Sequence, residues 1–142
     1  TIYQPTNYPF RICDISLPNC NTGFVYFLMS IRNPNFTYIG QTICVSRRIR
    51  QHNSGYGSNS TTPLPLRPYA CLAYITGFDG RHREARENIE REWKRKRDFL
   101  CRNGNHNVYD WVGAGKDCIE DLYVANELLR HLDLRLVMLF EN

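Results

Sequence analysis

Several side chains of this sequence are of the types needed to hydrolyse a phosphodiester. In chain order they are Tyr26, Tyr38, Arg48, His52 and Glu90. Phosphodiester hydrolysis needs a positioned water, a group that accepts the proton of that water, and positive charge beside the phosphate. Phenols, a guanidinium, an imidazole and a carboxylate can supply these functions if the fold brings them together.

Arg48 and His52 are four residues apart, so they share one face of a helix. The arginine suits a bidentate contact with a phosphate, and the histidine can donate to a phosphate oxygen or transfer a proton. An exposed arginine followed by a histidine at a helix end would have the same spacing. The pair alone therefore fits both a phosphate site and a solvated helix.

The tyrosines and the glutamate also have ordinary structural explanations. Strand tyrosines commonly pack and form hydrogen bonds, and an unperturbed phenol with a pKa of about 10 is a weak base. Glu90 adjoins the apolar stripe of a helix, where one carboxylate with several waters can hold Mg²⁺. Glu84, Glu87 and Glu92 compete with Glu90, and composition does not rank them.

The elements that must position these residues alternate between strands and helices. Apolar runs rich in β-branched and aromatic residues predict strands at 24–29, 36–42, 69–78 and 134–140. Apolar periodicity predicts helices over 46–52, 83–102 and 117–131, the first of them capped by Ser46. The order predicts a small α/β domain with a central mixed or antiparallel sheet, opened by a β-hairpin and flanked by helices.

Length and composition bound the class of protein. A chain of 142 residues suits one domain, which we place at 23–142 after an irregular N-terminal segment at 1–22. The net charge of +4 fits a polyanionic partner without requiring one. No apolar run approaches the roughly 18 residues of a membrane span. The six cysteines form no CxxC pair, which argues against a zinc site. Cys71 lies in an apolar strand and Cys118 near the start of a helix, where buried thiols are common, so we expect a reducing, intracellular setting.

The motifs together resemble the GIY-YIG nuclease family over about residues 23–93. Gly23-Phe24-Val25-Tyr26 stands at the first motif, with Phe24 in place of its glycine, and Tyr38-Ile39-Gly40-Gln41-Thr42 matches the second. Arg48 follows Gly40 by eight residues, and His52-Asn53-Ser54-Gly55 completes the pattern. Arg67-Pro68-Tyr69 and Gly77-Phe78 further resemble the structure-selective Slx-type branch, although no RING-type zinc domain follows in this chain.

The resemblance implies a role for each candidate residue. Tyr26 would be the general base or orient the water, with Tyr38 assisting or holding the scissile phosphate. Arg48 would stabilise transition-state charge and His52 would help to transfer protons or bind phosphate. Glu90 would hold one Mg²⁺ or Mn²⁺ ion. An asparagine after the metal-binding helix assists in several members; it would correspond to Asn103, Asn105 or Asn107.

The same resemblance implies a DNA endonuclease that leaves a 5′ phosphate and a 3′ hydroxyl, selective for branched DNA or belonging to a mobile element. Partners would be DNA and a scaffold protein, without a membrane, and the location would be nuclear if the source is eukaryotic. Expected DNA contacts are Arg47, Arg50, Arg67, Lys94 and Arg97, together with the loop 53–68. The alternative is a DNA-binding module with a silent site.

Overall fold

The computed structural model describes residues 2–3, 11–13, 17–20, 22–32, 36–78, 83–104 and 129–141. Its strands are β1 (Ile2–Tyr3), β2 (Arg11–Cys13), β3 (Phe24–Ser30), β4 (Thr37–Thr42), β5 (Tyr69–Thr76), β6 (Arg135–Met138) and β7 (Phe140–Glu141). Its helices are α1 (Val45–Asn53) and α2 (Arg83–Gly104), and short 3₁₀ turns occur at Asn59–Thr61 and Leu64–Leu66. Residues 129–131 are also helical.

The central sheet has the strand order β4-β3-β5-β6, and every neighbouring pair is antiparallel. The hairpin of β3 and β4 places Tyr26 opposite Gly40, and β5 pairs with the other edge of β3. An irregularity between Phe27 and Leu28 shifts the register with β5 by one residue. The predicted α/β domain with a hairpin and flanking helices is confirmed, and the sheet is antiparallel.

Side chains alternate along β3 because successive residues of a strand point to opposite faces. Val25, Phe27 and Met29 belong to a cluster that includes Trp93 of α2, and the Phe27 and Trp93 rings meet edge to face at 5.4 Å. Phe24, Tyr26 and Leu28 belong to a second cluster, which includes Val45 of α1. The helices therefore cover opposite faces of the sheet, and Tyr26 lies on the face covered by α1.

Several predicted boundaries need correction. Helix α1 begins at Val45 rather than Ser46, and its N-cap residue is Cys44, which makes no capping hydrogen bond through its side chain. The predicted C-terminal strand is two strands, because β6 pairs with β5 whereas β7 pairs with β2. The predicted helix over 117–131 lies outside the described residues except for its last turn.

The N-terminal segment is not wholly irregular. It contains β1 and β2, and β2 pairs with β7 from the other end of the chain. A pairing between distant segments leaves no local sequence pattern. The only local signal in residues 1–22 is their content of turn-forming residues, and these predicted an irregular segment. The sulfurs of Cys20 and Cys44 are disulfide-bonded, which does not fit the reducing setting expected from the sequence, and the buried thiol of Cys71 donates to the carbonyl of Ala73.

Candidate active site

A chain of hydrogen bonds links the first tyrosine motif to the loop after α1. The Tyr26 hydroxyl lies 2.8 Å from Nε2 of His52, and Nδ1 of the same imidazole lies 2.7 Å from the Thr61 hydroxyl. All of these side chains are buried, with at most 1% of their surface exposed. Because buried polar groups need partners, these bonds hold the phenol and the imidazole in one fixed arrangement.

Gly40 leaves the space that the Tyr26 hydroxyl occupies. The two residues face each other across the β3–β4 hairpin, and a Cβ on Gly40 would lie 2.5 Å from the Tyr26 oxygen. It would also come within 2.9 Å of the Tyr38 ring. No real Cβ makes contacts this short with atoms that cannot retreat, so a glycine is required for both phenols to approach this end of the strand.

Helix α1 supplies the guanidinium and the imidazole from one face. His52 is in its last turn and packs against Tyr38, with ring centroids 4.9 Å apart. Arg48, one turn earlier, donates to the side-chain oxygen of Gln51 at 2.9 Å, and a hydrogen bond from its guanidinium to the Tyr26 phenol opposes the rise in the pKa of that phenol. The four-residue spacing predicted this shared face, and the structure places both residues beside Tyr26.

Tyr26, Tyr38 and Arg48 open onto a cavity of about 520 Å³ beside α2, whereas His52 lies behind them and does not line it. Its lining comes from β3, β4, α1 and α2: Tyr26, Tyr38, Gly40, Gln41, Arg48, Arg83, Glu87, Glu90, Arg91 and Lys94. Glu90 therefore shares one cavity with Tyr26, Tyr38 and Arg48, whereas Glu84 and Glu92 do not line it. Glu90 is paired with Lys94 at 2.9 Å, and Glu87 with Arg83 at 2.9 Å.

Burial controls the protonation of Tyr26 and His52. It raises the pKa of the Tyr26 phenol well above its ordinary value; Tyr38 adds to this rise, and Arg48 opposes it. Burial also lowers the pKa of His52 to about 4, and the positive charge of Arg48 lowers it further. At neutral pH the pair is therefore a protonated phenol against a neutral imidazole, joined by a short hydrogen bond.

The predicted DNA contacts differ in burial and in their relation to the cavity. Arg47 and Arg50 are exposed on α1, and Arg97 belongs to the later part of α2. Arg67 is half-buried; its Nε is buried without a hydrogen-bond partner, and its Nη1 lies 3.5 Å from the Asn53 carbonyl. Lys94 alone among the five lines the cavity.

Comparison with known proteins identifies the family. A sequence profile of the GIY-YIG catalytic domain matches residues 22–107, more than half of the chain. The chain belongs to the GIY-YIG family. Within this family it is of the Slx-like branch, as the sequence motifs predicted.

Two curated relatives support this placement. The segment is 40% identical over 60 residues to the structure-specific endonuclease subunit SLX1 of Candida dubliniensis, covering 40% of this chain and 21% of the relative. It is 39% identical over 59 residues to the structure-specific endonuclease subunit slx1 of Talaromyces marneffei, covering 39% and 15%. The similarity therefore spans about a fifth or less of the length of either relative.

The GIY-YIG domain has cavity residues that were not singled out from the sequence. Arg83 and Arg91 of α2 line the cavity together with Glu87, and Gln41 follows Gly40 on β4. The α2 residues at 83, 87, 90, 91 and 94 repeat every three or four positions, so they lie on one face of the helix. That periodicity of charged residues is visible in the sequence, on a different face from the apolar stripe that predicted the helix.

The donor set of the cavity fits one divalent ion of the kind implied by the resemblance. The Glu90 carboxylate lines the cavity, and only 18% of this side chain is exposed. Mg²⁺ keeps several waters and needs few protein ligands, so a single carboxylate beside a substrate phosphate is a sufficient set. Among the described residues no group of three or more His, Cys, Asp or Glu side chains is arranged for a metal ion. None of the described helices is both long and apolar enough to pass through a membrane.

Proposed function

We propose that this GIY-YIG domain is a divalent-metal-dependent DNA endonuclease that leaves a 5′ phosphate and a 3′ hydroxyl. The observation that carries the proposal is convergence: two phenols, a guanidinium and a carboxylate from four separate elements line one cavity. If the tyrosines only packed in the core and the arginine were only a solvated side chain on a helix, these groups would not need to meet at one cavity. Family membership supports the reaction class, and the names of the curated relatives support DNA as substrate.

Tyr26 is the proton acceptor for the attacking water in this proposal. Its raised pKa keeps the phenol protonated at neutral pH, so it accepts a proton only as its own proton leaves. The hydrogen bond to His52 Nε2 provides that exit. The water oxygen then bonds to phosphorus while its proton moves to the Tyr26 oxygen and the former Tyr26 proton moves to His52.

Arg48 balances the charge that develops on the phosphate. Its guanidinium lines the cavity beside Tyr26, where it can bind the non-bridging oxygens as negative charge builds on them. The bond between phosphorus and the 3′ oxygen breaks, and this oxygen leaves with the electron pair and takes a proton from solvent. His52 is buried, so it returns its proton to the Tyr26 oxygen while the phenol releases its own proton to water in the cavity. Tyr38 orients the phosphate through its hydroxyl.

Glu90 would hold the metal ion. When bound, a divalent ion at this carboxylate would withdraw charge from the phosphate and the leaving oxygen. In the described structure Lys94 satisfies the carboxylate instead. The pair is only partly exposed, since 41% of the Lys94 side chain but 18% of the Glu90 side chain reaches solvent. Exchange of the ammonium for a divalent ion would therefore cost less than breaking a fully buried pair.

Branched DNA is the substrate that the comparisons favour, because both relatives are named structure-specific endonuclease subunits. The word subunit also supports a scaffold partner, and DNA as substrate supports a nuclear location if the source is eukaryotic. The exposed Arg47 and Arg50, with Lys94 and Arg97 along α2, are proposed to hold phosphates away from the cleaved bond. Arg67 has the same proposed role through its Nη atoms, since its Nε faces inward.

The test is cleavage of labelled flap, fork, four-way junction and plain duplex DNA with Mg²⁺ or Mn²⁺. We expect Arg48→Ala and Glu90→Gln to reduce cleavage by about 10²–10³-fold. Glu92→Gln is the matched control, because Glu92 is on the same helix but pairs with Arg95 in solvent. Equal cleavage by the Arg48 and Glu90 variants and the parent protein would refute the proposed site. DNA binding without any cleavage would instead identify a silent binding module.

A further inference from the structure

We propose that Thr61 is a positioning residue that fixes the tautomer of His52, so that Nε2 is free to take the proton of Tyr26. This inference rests on the proposed function for its catalytic consequence. The tautomer itself is a property of the folded chain. Thr61 ends the first 3₁₀ turn of the loop after α1, and its side chain is buried against the imidazole.

The direction of the hydrogen bonds follows from the Thr61 hydroxyl, which has only one proton. Its oxygen lies 3.0 Å from the carbonyl of Ser58 and 2.7 Å from Nδ1 of His52. Two oxygens at that separation repel each other unless a proton lies between them, so the hydroxyl donates to the carbonyl. It must then accept from Nδ1–H, which leaves Nε2 as the unprotonated nitrogen.

The loop encloses this contact so that no water can replace it. A Cβ on Gly57 would collide with Nδ1 of His52, so the loop backbone passes directly over the ring. The backbone of Thr61 is held in turn, since its carbonyl accepts a hydrogen bond from the Tyr69 hydroxyl at 2.8 Å. Removing the Thr61 hydroxyl would therefore leave Nδ1–H without an acceptor, and the imidazole would gain by moving its proton to Nε2.

Moving the imidazole proton from Nδ1 to Nε2 would change which group can accept a proton from Tyr26. With a proton on Nε2 the imidazole can only donate to the Tyr26 oxygen, and the phenol can no longer pass its proton to His52. The sequence predicted that the loop 53–68 contacts DNA. Its buried residue Thr61 thus has a second role, because it orients His52 for the proposed proton acceptor, Tyr26. Its exposed residues remain available to the substrate.

Thr61→Val and Thr62→Val are the matched pair that tests the inference. The Thr62 hydroxyl donates to the same Ser58 carbonyl at 3.0 Å, and no described contact joins it to His52. Both variants replace a hydroxyl by a methyl group in the same turn, so general damage to the loop affects both. Thr61→Ser keeps the hydroxyl and should restore the behaviour of the parent protein.

The first readout is the ¹⁵N spectrum of the imidazole in uniformly ¹⁵N-labelled protein. The chain has four histidines, so the signals of His52 are assigned by their loss in His52→Asn. We expect a protonated Nδ1 and an unprotonated Nε2 in the parent protein, Thr61→Ser and Thr62→Val. Thr61→Val should shift the population toward protonated Nε2. A parent protein with Nε2 protonated, or a Thr61→Val spectrum identical to the parent, would overturn the inference.

The second readout is kcat for cleavage of a branched DNA. We expect Thr61→Val to lower kcat by about 10–100-fold with KM little changed, as for the loss of a group that orients a proton acceptor. Thr61→Ser and Thr62→Val should stay near the parent value. A tautomer shift without loss of kcat would also overturn the inference. If the parent protein cleaves nothing, the proposed function fails while the spectrum still decides the tautomer.

Discussion

The cavity of this GIY-YIG domain has two sides that are built differently. On the sheet side, the phenol of Tyr26 and the imidazole of His52 are buried and joined by short hydrogen bonds. On the α2 side, Glu87 and Glu90 are joined to Arg83 and Lys94 by ion pairs, and these pairs reach solvent. The sheet side has one arrangement available to it, whereas the α2 side can exchange partners.

The difference matches the roles proposed above for the two sides. A proton acceptor must be held within hydrogen-bonding geometry before the substrate arrives, and burial supplies that rigidity. A helix face that meets a metal ion and a charged backbone must release its own ion pairs at low cost, and exposed pairs allow this because each is worth about 0–1 kcal/mol. Variants on the two sides should therefore differ in size and kind of effect.

The largest effect is expected on the sheet side. Tyr26→Phe removes the proposed proton acceptor and should lower cleavage about a thousandfold, within the usual range for loss of acid–base catalysis. The control is Tyr74→Phe, because Tyr74 is a buried tyrosine opposite Tyr26 on β5 that does not line the cavity. Initial rates on a branched DNA measure both. Equal rates for Tyr26→Phe and the parent would remove Tyr26 from the mechanism.

Adding one carbon next to Tyr26 should have a smaller effect. Gly40→Ala would push both phenols away, and misplacement by about 1 Å can lower a rate about a hundredfold. Gly23→Ala is the matched control, since its new Cβ would meet only the long side chain of Arg86. Thermal unfolding should confirm that both variants fold. Unchanged cleavage by Gly40→Ala would show that the position of the phenol is not critical.

The buried imidazole should make stability depend on pH. Burial lowers the pKa of His52 to about 4 from its unfolded value, so below neutral pH the unfolded chain binds more protons. Stability is therefore fully present above the unfolded pKa and is lost as pH falls toward the folded one. We expect a loss of about 2 kcal/mol between about pH 7 and pH 5.

Urea unfolding at several pH values measures that loss. In His52→Gln the pH dependence should flatten, whereas His131→Gln, a change at an exposed position, should keep it. The experiment requires no substrate, so it tests the burial of His52 on the sheet side independently of cleavage. An equal slope in His52→Gln and the parent protein would mean that His52 is accessible to protons in the folded state.

The smallest effect is expected for the residue that pairs with Glu90 on the α2 side, as opposed to Glu90 itself. Lys94→Met removes the ammonium that competes for the Glu90 carboxylate, so the half-saturating concentration of Mn²⁺ for cleavage should fall by no more than about fivefold, equivalent to about 1 kcal/mol. Arg95→Met is the control, since Arg95 pairs with Glu92 in solvent. The measurement is made at saturating DNA, which sets aside the phosphate contact proposed for Lys94. A rise in that concentration would then indicate that Lys94 helps to hold the ion.

Local patterns were enough to predict most of the elements. The apolar runs predicted β3, β4 and β5, and the spacing of Ile89, Trp93 and Leu100 predicted α2. Both predictions succeeded because burial of one face of an element imposes a period that can be counted along the chain. Contacts between residues far apart in the chain leave no such periodic pattern in the sequence. The pairing of β2 with β7 and the contact of Thr61 with His52 both belong to this class.

The sequence by itself determined which chemical groups were available and at which spacing: two strand phenols, Arg48 and His52 on one helical face, and several carboxylates on α2. Only the tertiary structure decided which carboxylates share the cavity of the phenols. Glu87 and Glu90 line it and Glu84 and Glu92 do not, because the packed helix points the two pairs in different directions. It also decided the protonation of Tyr26 and His52. A pKa depends on the burial and charge that neighbouring elements impose, and these exist only after the chain has folded.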